Sequence, residues 1–268
     1  MIWLSIQLLG SALMTSAGAL AVRRSLRLGT ALVGGMLVLI LVKAGVSHFP
    51  AGEPRLFPWD WYPFVESWWH LFPAMFIFGA GMVIVRRSVW KRDGLLVGAG
   101  YLLLHCGVVA VLIGRPHEML NGVVNAEGVC HQTSGYSCGP ASAAMLLHRH
   151  GVDATEREMA DLCVTRSGGT KMSGTSDSGL MRGLRLKLKD WATPVISAPP
   201  YEQIPVPALV AIQLSPSLCH CILVSAVEPD QVRVLDPLYG RGTIPRAQFE
   251  RAWCRSAIHV EPLLTASR

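Results

Sequence analysis

Gln132-Thr133-Ser134-Gly135-Tyr136-Ser137-Cys138-Gly139-Pro140-Ala141-Ser142-Ala143-Ala144-Met145-Leu146-Leu147 reads as a loop that feeds a cysteine into the start of a helix. Pro140 suits the first helical turn, where its missing N–H is not needed, and Gly151 suits the stop after His148-Arg149-His150. A thiol at that end faces the positive pole of the peptide dipoles, which favours its anionic, nucleophilic form. Gly135 and Gly139 let backbone pass close to a substrate. Gln132, six residues ahead of Cys138, is spaced to offer its side-chain amide where a tetrahedral oxyanion would form.

A thiol nucleophile needs a base. Cys219-His220-Cys221-Ile222-Leu223-Val224 reads as a buried strand, and Gln231-Val232-Arg233-Val234-Leu235-Asp236-Pro237 as a second strand ending in an acid. A hairpin turn around Glu228-Pro229-Asp230 joins them and predicts His220 beside Asp236. A carboxylate there orients the imidazole and stabilises its charged form. Cys219 and Cys221 alternate with His220, so they point to the opposite face and cannot share a metal with it; core packing is their expected role.

These residues together resemble the C39 peptidases, papain-like cysteine peptidases best known as bacteriocin leader-cleaving domains. The resemblance rests on Gln132 with Cys138-Gly139-Pro140-Ala141, on His220 opening a strand and on Asp236-Pro237, and it covers roughly Asn125 to Val260. It implies Cys138 as nucleophile, His220 as base, Asp236 as orienter and Gln132 as oxyanion donor. It also implies a peptide substrate, with Gly174 and Thr175 lining the groove; plain capping of the next helix is the other reading of that segment. No cofactor and no metal are implied.

The rest of the chain sets the context. Of 268 residues, 51% are hydrophobic and only 16% charged, with a mean hydropathy of +0.37, which is too apolar for an ordinary soluble enzyme. Residues up to Gly114 hold nine Lys/Arg against four Asp/Glu, and the remainder fifteen against fourteen, so the basic excess belongs to the apolar half, which carries five of the six net positive charges. That distribution makes no nucleic-acid patch. Among seven cysteines there is no CxxC pair, which argues against a zinc ribbon. Cys130, Cys163 and Cys254 are candidates for a disulfide in an oxidising compartment.

Four apolar runs precede Arg115: Ile2 to Val22, Leu28 to His48, about Trp68 to Val85, and Leu95 to Ile113. Each approaches the ~20 residues a bilayer-spanning helix needs. The first is read as a retained anchor, although Ala19-Leu20-Ala21 resembles a signal-peptide cleavage site. Loop one carries Arg23, Arg24 and Arg27 and loop three Arg86, Arg87, Lys91 and Arg92, whereas loop two has Arg55 alone against Glu53, Asp60 and Glu66. The bias of basic residues toward the cytoplasm puts loops one and three inside and everything after Arg115 outside. Leader cleavage by transporter-linked relatives of the resembled family is cytoplasmic, which is the alternative placement. His105, inside the fourth run, is a candidate functional group or a histidine bonded to a neighbouring helix. Gly34-Gly35 and Gly79 to Gly81 mark expected close helix packing.

In the second half, Arg115 to Gly128 reads as a linker with a lead-in strand around Gly122-Val123-Val124. Thr155-Glu156-Arg157-Glu158 is a capping box, and Gly174 to Ser178 starts a further helix reaching about Leu188. Six strands are expected at Trp191–Ile196, Ala208–Leu214, Cys219–Val227, Gln231–Leu235, Gly242–Ile244 and Ala257–Val260, with a short helix from Pro245 through Trp253. The expected architecture is thus an all-α four-helix transmembrane region, 1–114, followed by an α+β papain-like domain with an antiparallel sheet, 115–268. The expected function is a membrane-anchored cysteine peptidase in a bacterial cell membrane that cleaves a peptide or leader, with a separate transporter as a further partner. A non-catalytic peptide-binding protein, and amide hydrolysis or acyl transfer on a non-peptide substrate, use the same residues. No ATP-binding motif is visible, so the chain is not itself a complete transporter.

Overall fold

A computed structural model describes residues 2–46, 51–66, 68–84, 96, 98–105, 107, 117–166, 174–189, 192–215 and 218–263. The basic residues of loop three, Cys106, most of the fourth apolar run and the loop 167–170 lie outside the described residues. The chain divides into two compact units, one of residues 1–48 and 64–114, the other of residues 49–63 and 115–268.

In the first unit, α1 (Ile2–Arg24) and α2 (Leu26–Val46) are the two helices that are long and apolar enough to cross a bilayer among the described residues. Their apolar side chains face outward: Leu37, Val38, Leu41 and Val42 of α2 are all exposed. An apolar exterior is what lipid, not water, accommodates. A shorter apolar helix, α5 (Trp68–Ile84), and a helical stretch at residues 98–105 follow. The expected glycine contacts divide. A Cβ on Gly79 would lie 2.0 Å from the Thr15 carbonyl oxygen, so α1 and α5 touch there, whereas Gly34, Gly35 and Gly81 have open space.

The second unit begins with an excursion from the apolar half. It contains the short helices α3 (Gly52–Leu56) and α4 (Tyr62–Val65), the latter continuing into the first unit. Ala51 joins the main core, Tyr62 is fully buried and stacks on Phe57 with ring centroids 4.7 Å apart, and Asp60 pairs with Arg185 at 2.5 Å. Residues expected only as an inter-span loop are therefore built into this unit.

The rest of the unit is α6 (Cys138–Arg149), α7 (Glu156–Leu162), α8 (Asp177–Leu188) and a six-stranded antiparallel sheet. The strands are β1 (Ala192–Ser197), β2 (Ala208–Ser215), β3 (Leu218–Val227), β4 (Gln231–Asp236), β5 (Gly240–Pro245) and β6 (Trp253–Pro262), with spatial order β1-β6-β2-β3-β4-β5. All six lie where the alternating apolar pattern predicts, with small boundary shifts. One apolar layer, with Met145, Leu146, Leu184, Leu223 and Leu235, fills the space between the sheet and α6–α8. A second, with Tyr201, Val224, Val234 and Phe249, lies under the short helix α9 (Arg246–Ala252) on the other face. The residues of α6 from Gly139 to Leu147 are all buried, which is why that helix runs through the middle of the unit.

Two local expectations change. The lead-in strand is reduced to a single bridge between Val124 and Cys130. Trp253 starts β6 instead of ending α9: its indole N–H donates to the Ser256 carbonyl at 2.9 Å, and it pairs with Ile212 of β2.

Candidate active site

Cys138 is the first residue of α6. Three attachments fix that end of the helix. The Ser137 hydroxyl closes the preceding loop by donating to the Ser134 carbonyl at 2.9 Å. Ser142, one turn on, donates to the Cys221 carbonyl at 2.9 Å and so ties α6 to β3. Gly139 lies so close to Thr175 that a Cβ there would come within 3.0 Å of the threonine side chain. A larger residue at 139 would push the cysteine away from the sheet.

His220 and Asp236 meet because β3 and β4 are paired neighbours, with Leu223 opposite Leu235. The His220 Nε2 to Asp236 Oδ1 distance is 2.8 Å, and both side chains are buried. Asp236 Oδ1 also accepts the backbone N–H of Leu238 at 2.7 Å and of Tyr239 at 3.3 Å, so the turn after β4 holds the carboxylate in place. With Nε2 engaged by Asp236, Nδ1 is the ring nitrogen left free to serve a thiol, and Cys138 lines the same cavity as His220. Burial alone would lower the imidazole's pKa. The hydrogen bond to Asp236, then that to Cys138, then both charges outweigh burial and push it up to about 9. Burial raises the pKa of Asp236, but its hydrogen bonds from His220 and Leu238 bring it below the usual carboxylate value.

A cavity of about 240 Å³ opens beside this group. Cys138, His220, Gly174 and Thr175 line it, and Leu180, Leu209, Leu218 and Ile258 supply apolar walls. Gly174 has φ +97°, a conformation in which a side chain is strained, and exchanges backbone hydrogen bonds with Arg166 (2.8 and 2.9 Å). Thr175 Oγ1 lies 2.7 Å from Thr165 Oγ1. The capping reading of this segment also holds: Ser176 accepts the Gly179 N–H at 3.2 Å. The six residues singled out from sequence are thus brought together except for Gln132. Its side-chain amide donates to the Ser134 carbonyl at 2.7 Å, and Gln132 is not among the residues lining the cavity. Its backbone N–H donates to the Pro237 carbonyl at 3.0 Å, which joins the nucleophile loop to the Asp236 turn.

Sequence reasoning missed Glu156. Read only as part of a capping box, it is a fully buried carboxylate. It accepts the backbone N–H of Gly122 (2.9 Å), the backbone N–H of Thr133 (2.8 Å) and the Thr133 hydroxyl (2.6 Å). It therefore clamps the loop that leads to Cys138. Nothing local signals this, because its partners lie 23 and 34 residues away. Glu156→Ala strips three donors of their acceptor, the buried Gly122 N–H among them, and we expect a loss of about 3 kcal/mol in stability, read as a lowered thermal unfolding midpoint of the full chain.

The remaining thiols are of two kinds. Cys130 and Cys163 are buried and free, and burial is the main cause that pushes each up to about 12, so neither is a nucleophile. Neither pairs with Cys254, which lies instead beside Cys219. Cys219 departs from the expected core role, being exposed at the cavity wall.

The chain is 31% identical over 140 residues to an uncharacterised protein of Methanothermobacter thermautotrophicus, covering 50% of this chain and 89% of that protein. The figures are the same for one from Methanothermobacter marburgensis. Similar solved structures include the peptidase domain of Streptococcus ComA, a bifunctional ABC transporter (20% identity, 49% of this chain and 96% of that one, TM-score 0.43). A double-glycine-motif protease from an AMS/PCAT transporter in complex with its leader peptide is 16% identical, over 53% and 95%, with TM-score 0.43. A C39-like peptidase from Bacillus anthracis is also 16% identical, over 53% and 98%, with TM-score 0.40. A profile of the peptidase C39 family matches residues 126–264, just over half of the chain and the whole span from the nucleophile loop to the last strand; the chain belongs to the peptidase C39 family.

Proposed function

We propose that the chain is a membrane-anchored cysteine peptidase that cleaves a peptide or leader sequence. The observation that supports this reading is the buried His220–Asp236 pair, with His220 and Cys138 lining one cavity. His220 takes the proton of the Cys138 thiol as sulfur attacks the scissile carbonyl carbon, and Asp236 stabilises the imidazolium. As the tetrahedral intermediate collapses, His220 returns the proton to the leaving amine. Water, deprotonated by the same imidazole, then releases the acyl group from sulfur.

The oxyanion is held by the Cys138 backbone N–H and by Gln132. One hydrogen of the Gln132 amide is donated to Ser134 outside the cavity, and the second reaches the oxyanion when the side chain turns toward the cavity. Gly174 and Thr175 line the groove, where the bare backbone of Gly174 admits an extended peptide. Membership of a peptidase family supports a peptide bond as the target.

Four apolar helices anchor the enzyme in a bacterial membrane, with the peptidase unit outside the cytoplasm and a separate transporter as a further partner. Residues 49–63 support that sidedness, because they belong to the same compact unit as residues 115–268 and so must share its side of the bilayer. That segment is poor in basic residues, the mark of a non-cytoplasmic loop.

A single experiment separates these claims: a membrane-impermeant, peptide-based thiol probe applied to intact and to lysed cells. Labelling of wild type but not of Cys138→Ala in both preparations is the expected result. Labelling only after lysis moves the peptidase unit to the cytoplasm. No Cys138-dependent labelling in either preparation makes the domain a peptide-binding module.

A further inference from the structure

Two thiols outside the proposed relay lie against each other, one of them in the cavity wall. Cys219 Sγ is 3.8 Å from Cys254 Sγ. Cys219 is the residue before His220 and lines the same cavity as Cys138, while Cys254 is half-buried at the start of β6. The strands that carry them flank β2 on its two sides. Cys219 is opposite Gln213, and Trp253 is opposite Ile212. Between Val210 and Ile212 the pairing of β2 with β6 slips, and Arg255 has φ 63°. This bulge turns Cys254 toward its neighbour instead of leaving it in regular register.

We propose that Cys219 and Cys254 are a modification site that forms a reversible disulfide beside His220. The sulfurs must close from 3.8 Å to about 2 Å. The irregular backbone at Cys254 is where that movement is easiest.

The two thiols are unequal in a way that sets their roles. The hydrogen bond from Cys254 pulls Cys219 down to about 6, against burial and the charge of Asp177. Cys254 is pushed up, first by that same hydrogen bond and then by burial. Cys219 is the attacking thiolate and Cys254 the resolving thiol. With a small-molecule disulfide as oxidant, Cys219 attacks one sulfur, releases one small thiolate and becomes a mixed disulfide. Cys254 gives up its proton and attacks Cys219 Sγ, which displaces the second small thiolate. Two protein thiols are oxidised and one small disulfide is reduced to two thiols.

The bond has two consequences for the cavity. It ties the strand holding His220 to β6 across β2, and it removes a reactive thiol from the space that also holds Cys138. The inference does not depend on the peptidase reading, because its readout is chemical and needs no substrate.

The test equilibrates the full chain in detergent with oxidised glutathione at neutral pH, then alkylates, digests and sequences the peptides by mass spectrometry. The expected product is a Cys219–Cys254 cross-linked peptide pair that dithiothreitol reverses. Cys254→Ser should instead retain glutathione on Cys219, and Cys219→Ser should leave Cys254 unmodified. The proposal is overturned if wild-type Cys219 and Cys254 both remain alkylatable. It is equally overturned by a stable glutathione adduct on wild-type Cys219, or by a cross-link through Cys138 or Cys221.

Discussion

His220→Ala is expected to lower kcat/KM for peptide cleavage by a factor on the order of 10⁶, with Cys138→Ala equally inactive and the double variant no worse than either. The non-additivity is the informative part. On the proposed mechanism sulfur and imidazole act as one device, so removing either removes the whole of the nucleophilic route, and the second removal has nothing left to cost. His220 shares a cavity wall with Cys138, and its Nε2 is committed to Asp236. Single-turnover cleavage of a labelled peptide by the three variants checks it. A double variant markedly slower than the singles would mean that the two residues contribute separately, and the relay would be wrong.

Asp236→Asn should reduce kcat by about 10²–10⁴-fold, because the neutral amide does not balance the charge of the imidazolium. The same substitution has a pH signature in stability. The His220 pKa lies at about 9 against an ordinary 6.5, so its contribution is complete below about pH 6.5 and is lost as pH rises through 9. Asp236 is depressed below 3.8, so its share is present above that value and is lost as pH falls through the folded one. Wild type should therefore exceed Asp236→Asn by about 2–3 kcal/mol between roughly pH 4 and 6.5, with the two converging above about pH 9. The amide oxygen introduced by the substitution still accepts from the Leu238 and Tyr239 N–H groups, so the turn is preserved and the difference reports the charge. Chemical unfolding of both proteins across that range is the measurement. A pH-independent gap would assign the loss to packing instead.

The six strands, the three long helices of the second unit and the Cys138, His220 and Asp236 trio were legible in the sequence, because each rests on short-range patterns. A continuous apolar run marks β3 and alternation of period two marks β4, and the hairpin at Glu228-Pro229-Asp230 fixes which strand pairs with which. Once that pairing is set, His220 and Asp236 have little choice but to meet. The start of α6 was legible for a similar reason, since Pro140 and the uninterrupted apolar run after it admit one interpretation.

Other features depend on contacts between residues far apart in the chain, and no local pattern encodes them. The burial of Tyr62 and the pairing of Asp60 with Arg185 turn an apparent inter-span loop into part of the second unit, across 125 residues of sequence. The Glu156 clamp and the Cys219 and Cys254 pair are of the same kind, as is the engagement of the Gln132 amide by Ser134 in place of an open cavity. Sequence alone determined which segments become helices and strands, their order and the pairing that brings His220 to Asp236, because propensity, periodicity and a hairpin turn are local. The tertiary structure alone decided which carboxylate holds the nucleophile loop and which thiols touch, because those follow from how the sheet twists and where the helices lie on it.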